Sequence, residues 1–307
     1  MTPPETAPAA AAPAVAWIDS GSPCPHPWSP AVCPVCSPWT EGAAEPFDRA
    51  GAQTAQLTAA QVLQALPAEA SKIVLRGGEL LQRPEALELL TAARRIAPQV
   101  ELWSNGAALA RPGVVQAIRR AGATAVAIGL WGDSPESHDY ATGVPGSFAR
   151  AIAGLKAARQ GGLRTAVIAV LLRPTYRGLP SLLQKSLPLG IDAALLWAPP
   201  GPDRTAHPLL APMAAIGPYV DAGVRILAAA GKGCAVLGIA PCALATAAAA
   251  AEISPLAQPD RRAARGAPCA ACTWRDHCAG QPPLRAQLHG WTGLVARKDA
   301  PVLTGRW

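Results

Sequence analysis

The chain has 307 residues, half of them apolar, with eight cysteines and a formal net charge of +7. That length and apolar content can bury a large core, which excludes a chain disordered along most of its length and predicts one sizeable domain with a small appendage. The positive balance comes mostly from scattered arginines, with Arg261, Arg262 and Arg265 forming a short cluster, and this argues against a nucleic-acid interface, which needs a patch or stripe.

In chain order, Thr2 to Pro13 is almost entirely Ala, Pro, Thr and Glu and reads as a loose tail. It lacks the basic start and Leu-rich run of a secretory signal, and the Ala-rich Ala243 to Ala251 is too short to span a bilayer. A cytoplasmic location with reduced thiols is the expectation, with no membrane partner. Predicted strands are Val15 to Asp19, Lys72 to Arg76, Val100 to Trp103, Thr124 to Leu130, Thr165 to Leu172 and Ala193 to Trp197. Predicted helices between them are Thr58 to Leu66, Glu85 to Ile96, Val114 to Ala121, Phe148 to Gln160 and a shorter one from Pro180. Six strand-then-helix units imply a parallel sheet with helices outside it and functional residues in the loops after the strands, where Gly77, Gly78, Ser104, Asn105, Trp131 and Arg173 fall. Beyond a division near Pro208, a helix over Ile216 to Ala230 and a strand-like run over Ala235 to Ile239 lead into the late cysteines. The expected organisation is thus a tail at 1–14, a core at 15–208, a cysteine-rich region at 209–285 and a final tail at 286–307.

Seven cysteines divide into Cys24, Cys33 and Cys36 near the start and Cys242, Cys269, Cys272 and Cys278 near the end. Such thiolate sets bind iron-sulfur clusters or zinc, and a cluster held by three cysteines keeps one iron open for chemistry. Cys234 stands apart and reads as a buried small hydrophobe. In Ile73-Val-Leu-Arg-Gly-Gly-Glu79, a buried strand ends in two glycines and a carboxylate. The glycines let a ligand approach the backbone, and the carbonyls with Glu79 can accept hydrogen bonds from a cation.

From Val15 to Pro200 the chain resembles the radical S-adenosylmethionine (radical SAM) superfamily. The likeness rests on the three-cysteine loop, Gly77-Gly78-Glu79, Trp103-Ser-Asn-Gly106, and Ala123 to Gly132 followed by Ser134-Pro-Glu-Ser-His-Asp139. Gly146-Ser-Phe148 and Leu171-Leu-Arg-Pro174 complete the series in order. The resemblance implies a partial (β/α)6 TIM-like barrel around a 4Fe-4S cluster on three cysteines, whose fourth iron chelates S-adenosylmethionine. One electron then cleaves a carbon-sulfur bond to give a 5′-deoxyadenosyl radical, with flavodoxin or ferredoxin as the kind of electron donor implied. Gly77, Gly78 and Glu79 would hold the methionine amino group, Ser104 and Asn105 would lie near the ligand, and Arg173 would serve its carboxylate or ribose. The usual C-x3-C-x2-C loop is replaced by Cys24-x8-Cys33-x2-Cys36, with Ser29 at the usual first position. Val35 stands where an aromatic residue usually packs on adenine, and Gly129 and Trp131 replace the frequent Ser and Asp of Ser-Leu-Asp-Gly.

Cys242 and Cys269-x2-Cys272-x5-Cys278 resemble the auxiliary-cluster region of radical SAM enzymes with SPASM or twitch extensions, which implies a second, fully ligated 4Fe-4S cluster. A zinc-ribbon-like site is the chemical alternative. His26 and His277 are weak ligand candidates, and His138 reads as a packing residue at a helix start. The leading function is reductive cleavage of S-adenosylmethionine for modification of an unidentified substrate, with peptides among the candidates and a separate carrier then required. A second reading takes the wide loop, Val35 and Trp131 as signs of a barrel that has lost catalysis and serves as a binding or scaffold protein. A third, a metal-bound nucleic-acid adaptor, leaves the barrel motifs unexplained.

Overall fold

The computed structural model describes residues 15–19, 58–199, 209–246, 264–278 and 280–300. Readings that fall on the opening tail, on Cys24, His26, Ser29, Cys33, Val35 and Cys36, and on Arg261 and Arg262 lie outside the described residues.

Seven strands form one parallel sheet in strict chain order: β1 (Val15–Asp19), β2 (Lys72–Arg76), β3 (Gln99–Ser104), β4 (Ala125–Leu130), β5 (Arg164–Val170), β6 (Ala193–Trp197) and β7 (Gly233–Leu237). The helices are α1 (Ala59–Gln64), α2 (Ala86–Ile96), α3 (Val114–Arg120), α4 (Pro135–Thr142), α5 (Ser147–Gln160), α6 (Leu179–Ser186), α7 (Met213–Ala229) and α8 (Pro283–His289). Because strand order never reverses, right-handed crossovers lay successive helices on one face, and the sheet curls into a partial TIM-like barrel instead of a two-sided sandwich.

The alternation of side chains confirms this geometry. Ile73, Leu75, Leu102, Val126, Ile128, Val167 and Leu196 pack with Leu89, Leu90, Ile118, Leu155, Leu183 and Val220 of the helices in the outer core. The opposite faces of the same strands contribute Val74, Trp103, Ala127, Ile168, Leu195, Trp197 and Ala235 to a separate inner cluster. Paired residues of a parallel ladder share a face, and the register Trp103 to Ala127, Gly129 to Ile168 and Leu195 to Ala235 carries the inner row around the sheet. Trp103 and Trp197 approach to 5.9 Å between ring centres. On the same side Lys72 pairs with Glu101 at 2.7 Å, and the Trp103 indole donates to that carboxylate at 2.8 Å. A buried pair of this kind is tolerable because its partners are in direct contact and further hydrogen-bonded.

The seventh strand extends the six-unit barrel read from sequence, with Trp197 against Leu237 in register. It lies two residues earlier than the expected Ala235 to Ile239, because Gly238 turns the chain with φ 71 and packs so tightly on the Ala198 carbonyl that a side chain there would collide. Cys234 is a buried core residue, as its apolar setting suggests. Among the described residues no helix is long and apolar enough to cross a membrane.

Candidate active site and cysteine-rich module

After β2 the chain turns through Gly77 and Gly78, both at positive φ, and brings Glu79 back beneath the strand ends. The Glu79 carboxylate is 1% exposed and accepts from Ser104 Oγ at 2.9 Å, Asn105 N at 2.8 Å and Leu81 N at 3.3 Å. It therefore ties the loop after β2 to the loop after β3. Ser104 Oγ in turn accepts from Gly106 N at 2.9 Å, and Asn105 Oδ1 accepts from Ala107 N at 2.9 Å, which fixes the Ser-Asn-Gly turn.

These two loops form part of a cavity of about 330 Å³ at the carboxyl ends of β2, β3 and β4, lined also by Gly129, Trp131, His138 and Arg150. Its remaining side is shaped by α4 and α5. Helix α4 begins with a capping box, the Ser134 hydroxyl accepting from Ser137 N at 3.3 Å, and carries Pro135 in its first turn. Asp139 joins the two helices by accepting from Phe148 N and Ser147 Oγ, each at 2.8 Å, and from Gly146 N. Burial pushes the Asp139 carboxyl up, but the Phe148, Ser147 and Gly146 donors outweigh it and hold the group below its ordinary range.

Of the residues read from sequence, Gly77, Gly78, Glu79, Ser104 and Asn105 are brought together, with Glu79 and Asn105 on the cavity wall. Arg173 is not. It is exposed, its backbone N donates to Leu209 O at 2.7 Å and its Nε to Leu210 O at 3.3 Å, so it is bound to the chain entering α7. His138 does pack, against Phe148 with ring centres 5.4 Å apart, but it also lines the cavity. Arg150 has no motif of its own; its signal is only its place in the first turn of α5, beside the Gly146-Ser-Phe148 start.

The late cysteines stand in three short turns. Cys242 follows β7 in a short 3-10 turn, Cys269 lies within a second that Cys272 closes, and Cys278 follows a third. Burial pushes the Cys242 thiol up to about 12 from an ordinary 9.0, and the charges of Cys278, Cys269 and Cys272 push the same way, so the four stand within electrostatic reach. Burial also raises Cys278, against the opposing pull of the Gly280 N–H that donates to its Sγ at 3.2 Å. Among the described residues no three His, Cys, Asp or Glu side chains are grouped closely enough to hold a single metal ion. Cations line the loop's carbonyls: Arg265 donates to Cys278 O at 3.2 Å and Lys298 to Ala271 O at 2.9 Å, favourable charges beside thiolates. His277 is exposed.

Fold and cavity thus define a partial α/β barrel with a cavity at the carboxyl ends of its strands. No family model matches the chain. It is 34% identical over 88 residues to the AdoMet-dependent heme synthase of Methanosarcina barkeri, covering 29% of this chain and 25% of that protein. It is 33% identical over 91 residues to the AdoMet-dependent heme synthase of Oleidesulfovibrio alaskensis, covering 30% and 23%. The match spans about a quarter of the length of these curated relatives. Among solved structures, native anSMEcpe with bound AdoMet and Cp18Cys peptide aligns with a TM-score of 0.45 and 13% identity, over 71% of this chain and 59% of that one. The similarity to the curated relatives supports the radical SAM resemblance at the level of the superfamily.

Proposed function

We propose that the chain is a radical SAM enzyme that reductively cleaves S-adenosylmethionine and turns the resulting radical on a further substrate. The observation that carries this reading is the meeting of Glu79, Asn105 and Trp131 at one cavity, with Cys24, Cys33 and Cys36 falling in sequence between β1 and β2. Cys24, Cys33 and Cys36 would hold a 4Fe-4S cluster, which when bound supplies the electron that breaks the carbon-sulfur bond. Glu79 ties the two loops together through Ser104 Oγ, Asn105 N and Leu81 N, and its carboxylate is the proposed acceptor for the ligand's ammonium. The walls from α4 and α5 restrict water at the strand ends.

Cys242, Cys269, Cys272 and Cys278 would hold an auxiliary 4Fe-4S cluster, supported by their mutual reach and by the N–H donor to Cys278 Sγ. Binding there requires the raised thiols to lose their protons, so cluster assembly releases protons. Peptides remain candidate substrates, and the name of the curated relatives adds heme-related compounds. Flavodoxin or ferredoxin is the proposed kind of electron donor.

The test is anaerobic reconstitution followed by metal analysis and reduction with dithionite. Two clusters should bring roughly eight irons per chain, and the reduced protein should convert S-adenosylmethionine to 5′-deoxyadenosine and methionine. Cys24→Ala should abolish cleavage and spare the auxiliary cluster, whereas Ser29→Ala should do little, a hydroxyl being a poor iron ligand beside thiolates. Zinc retained in place of half the iron would remove the auxiliary cluster. A full cluster complement without deoxyadenosine would favour the scaffold reading.

A further inference from the structure

Beyond the last cysteine the chain runs back across the cysteine-bearing turns. On one side Val295 N donates to Cys242 O at 3.2 Å, and Arg297 Nη1 donates to Leu244 O at 2.9 Å and Pro241 O at 3.4 Å, so the turn that carries Cys242 is held on both flanks. On the other side Thr273 N donates to Arg297 O at 3.0 Å, Thr273 Oγ1 to Asp299 O at 2.6 Å, the Trp274 indole to Asp299 O at 3.1 Å and Lys298 Nζ to Ala271 O at 2.9 Å. Those bonds fall on the residues either side of Cys272. Residues 295–299 therefore grip both turns at once. Arg297 is the most committed of them: its side chain is 9% exposed, and its Nε and Nη2 donate to the two Asp299 carboxylate oxygens at 2.8 and 2.7 Å. Its guanidinium carbon also lies over the buried Trp274 ring, 5.5 Å from the centre.

We infer that residues 295–299 are a clasp that completes the four-thiolate site, with Arg297 as the positioning residue that sets Cys242 against Cys269, Cys272 and Cys278. The inference rests on the auxiliary-cluster reading above and adds to it a residue that acts through the backbone of the cysteine turns. Cys242 comes from the chain leaving β7 and the other three from the loops after residue 264, so a shared ligand needs the two pieces held in register. One planar guanidinium can fork onto the Asp299 carboxylate and still reach two carbonyls beside Cys242, a geometry that a lysine ammonium does not reproduce. The clasp's bonds to both turns run to main-chain groups, which leaves the Cys242 and Cys272 sulfurs to a ligand.

The experiment uses the full chain carrying Cys24→Ala, so that bound iron reports on the late cysteines, reconstituted anaerobically with iron and sulfide. This parent should hold about four irons per chain. R297M keeps an apolar stem against Trp274 but no donors, and it should release iron to a chelator roughly 10- to 150-fold faster, the factor for lost hydrogen bonds from a charged group. R297K should release it nearly as fast. C242S should also release iron quickly, and adding R297M to C242S should change little, because a residue that acts through Cys242 then has nothing left to position. Additive effects of the two substitutions would overturn the positioning role, and so would release from R297M at the parent's rate. Hydrogen exchange at Val167 in β5 is followed in the same samples; lost protection there in R297M would overturn it as well, being the mark of a general structural residue. A parent that takes up no iron would overturn the auxiliary-cluster reading itself, a result distinct from all the others.

Discussion

The barrel and the cysteine-rich module are built on different physics. The barrel's strands are paired along their length and sandwiched between the inner cluster and a helix-covered outer core of fully buried Leu, Ile and Val. Among the described side chains of residues 264–300 the buried apolar ones are Trp274 and Leu294, which join the edge of the barrel's outer core, and the backbone is held by 3-10 turns, one bridge between Ala264 and Gln281, and cations on loop carbonyls. Such sparse apolar burial offsets less of the ordering entropy per residue than the barrel's does. Order in the module is therefore expected to come from its ligand, and order in the barrel from its core.

Stripping iron from reconstituted protein should expose this difference most strongly. Hydrogen exchange at Thr273 and Gln281, whose amides bond to Arg297 O and Ala264 O, should become fast, while Val167 and Leu196 stay protected. Equal loss in both regions would erase the distinction. The converse perturbation is Leu196→Ala, a fully buried outer-core residue of β6, which should cost the barrel about 2 to 5 kcal/mol in denaturant unfolding. Iron content per folded chain should not change.

Arg285 sharpens the comparison because it joins the two regions. Its side chain is 0% exposed, and it donates to Ala211 O and to Pro199 O, the latter at 2.7 Å, so α8 is pinned to the loops around β6 and α7. Burial lowers the guanidinium to about 10, and its Nε has no partner among the described residues. Arg285→Met should strand two carbonyls and cost about 1 to 3 kcal/mol, read as earlier proteolysis of the module with the barrel's unfolding midpoint little moved.

The smallest effect belongs to Asp139. Its carboxyl is held below its ordinary 3.8, so its contribution is complete above that pH and is lost as pH falls through the lowered folded-state value. Asp139→Asn should cost about 0.5 to 2 kcal/mol at neutral pH, the range for a lost helix cap, and should flatten the acid limb of barrel stability. An unchanged acid limb would mean that other carboxylates govern it.

The barrel was largely legible because its signals are local. β1, β2 and β6 have the bounds expected from short apolar runs between breakers, and α2 and α3 differ from expectation by one residue at an end. Helix α4 was signalled only by His138 read as a helix-start residue and given no bounds, because Pro135 to Asp139 has no apolar periodicity; its real markers are the Ser134 cap and Gly143 at φ 70. Helix α8 begins with Pro283 after Pro282, a pair that reads as a break although proline suits a first turn. At the site, the Gly-Gly-Glu and Ser-Asn-Gly turns could be read because each is a local motif. Arg173 could not be placed, since its direction is set by Leu209 and Leu210, far along the chain. Nothing local in the sequence tells a buried Arg285 from a surface arginine.

The Lys72–Glu101 pair inside the barrel also constrains how this sequence can change over time. Either residue replaced alone would take this direct contact from a buried charge, with the Trp103 indole bound to Glu101 adding to the mismatch. The two positions can therefore drift only together, most readily toward an apolar couple. Such an inherited interdependence would persist in descendants of this barrel whatever substrate their cavities came to accept.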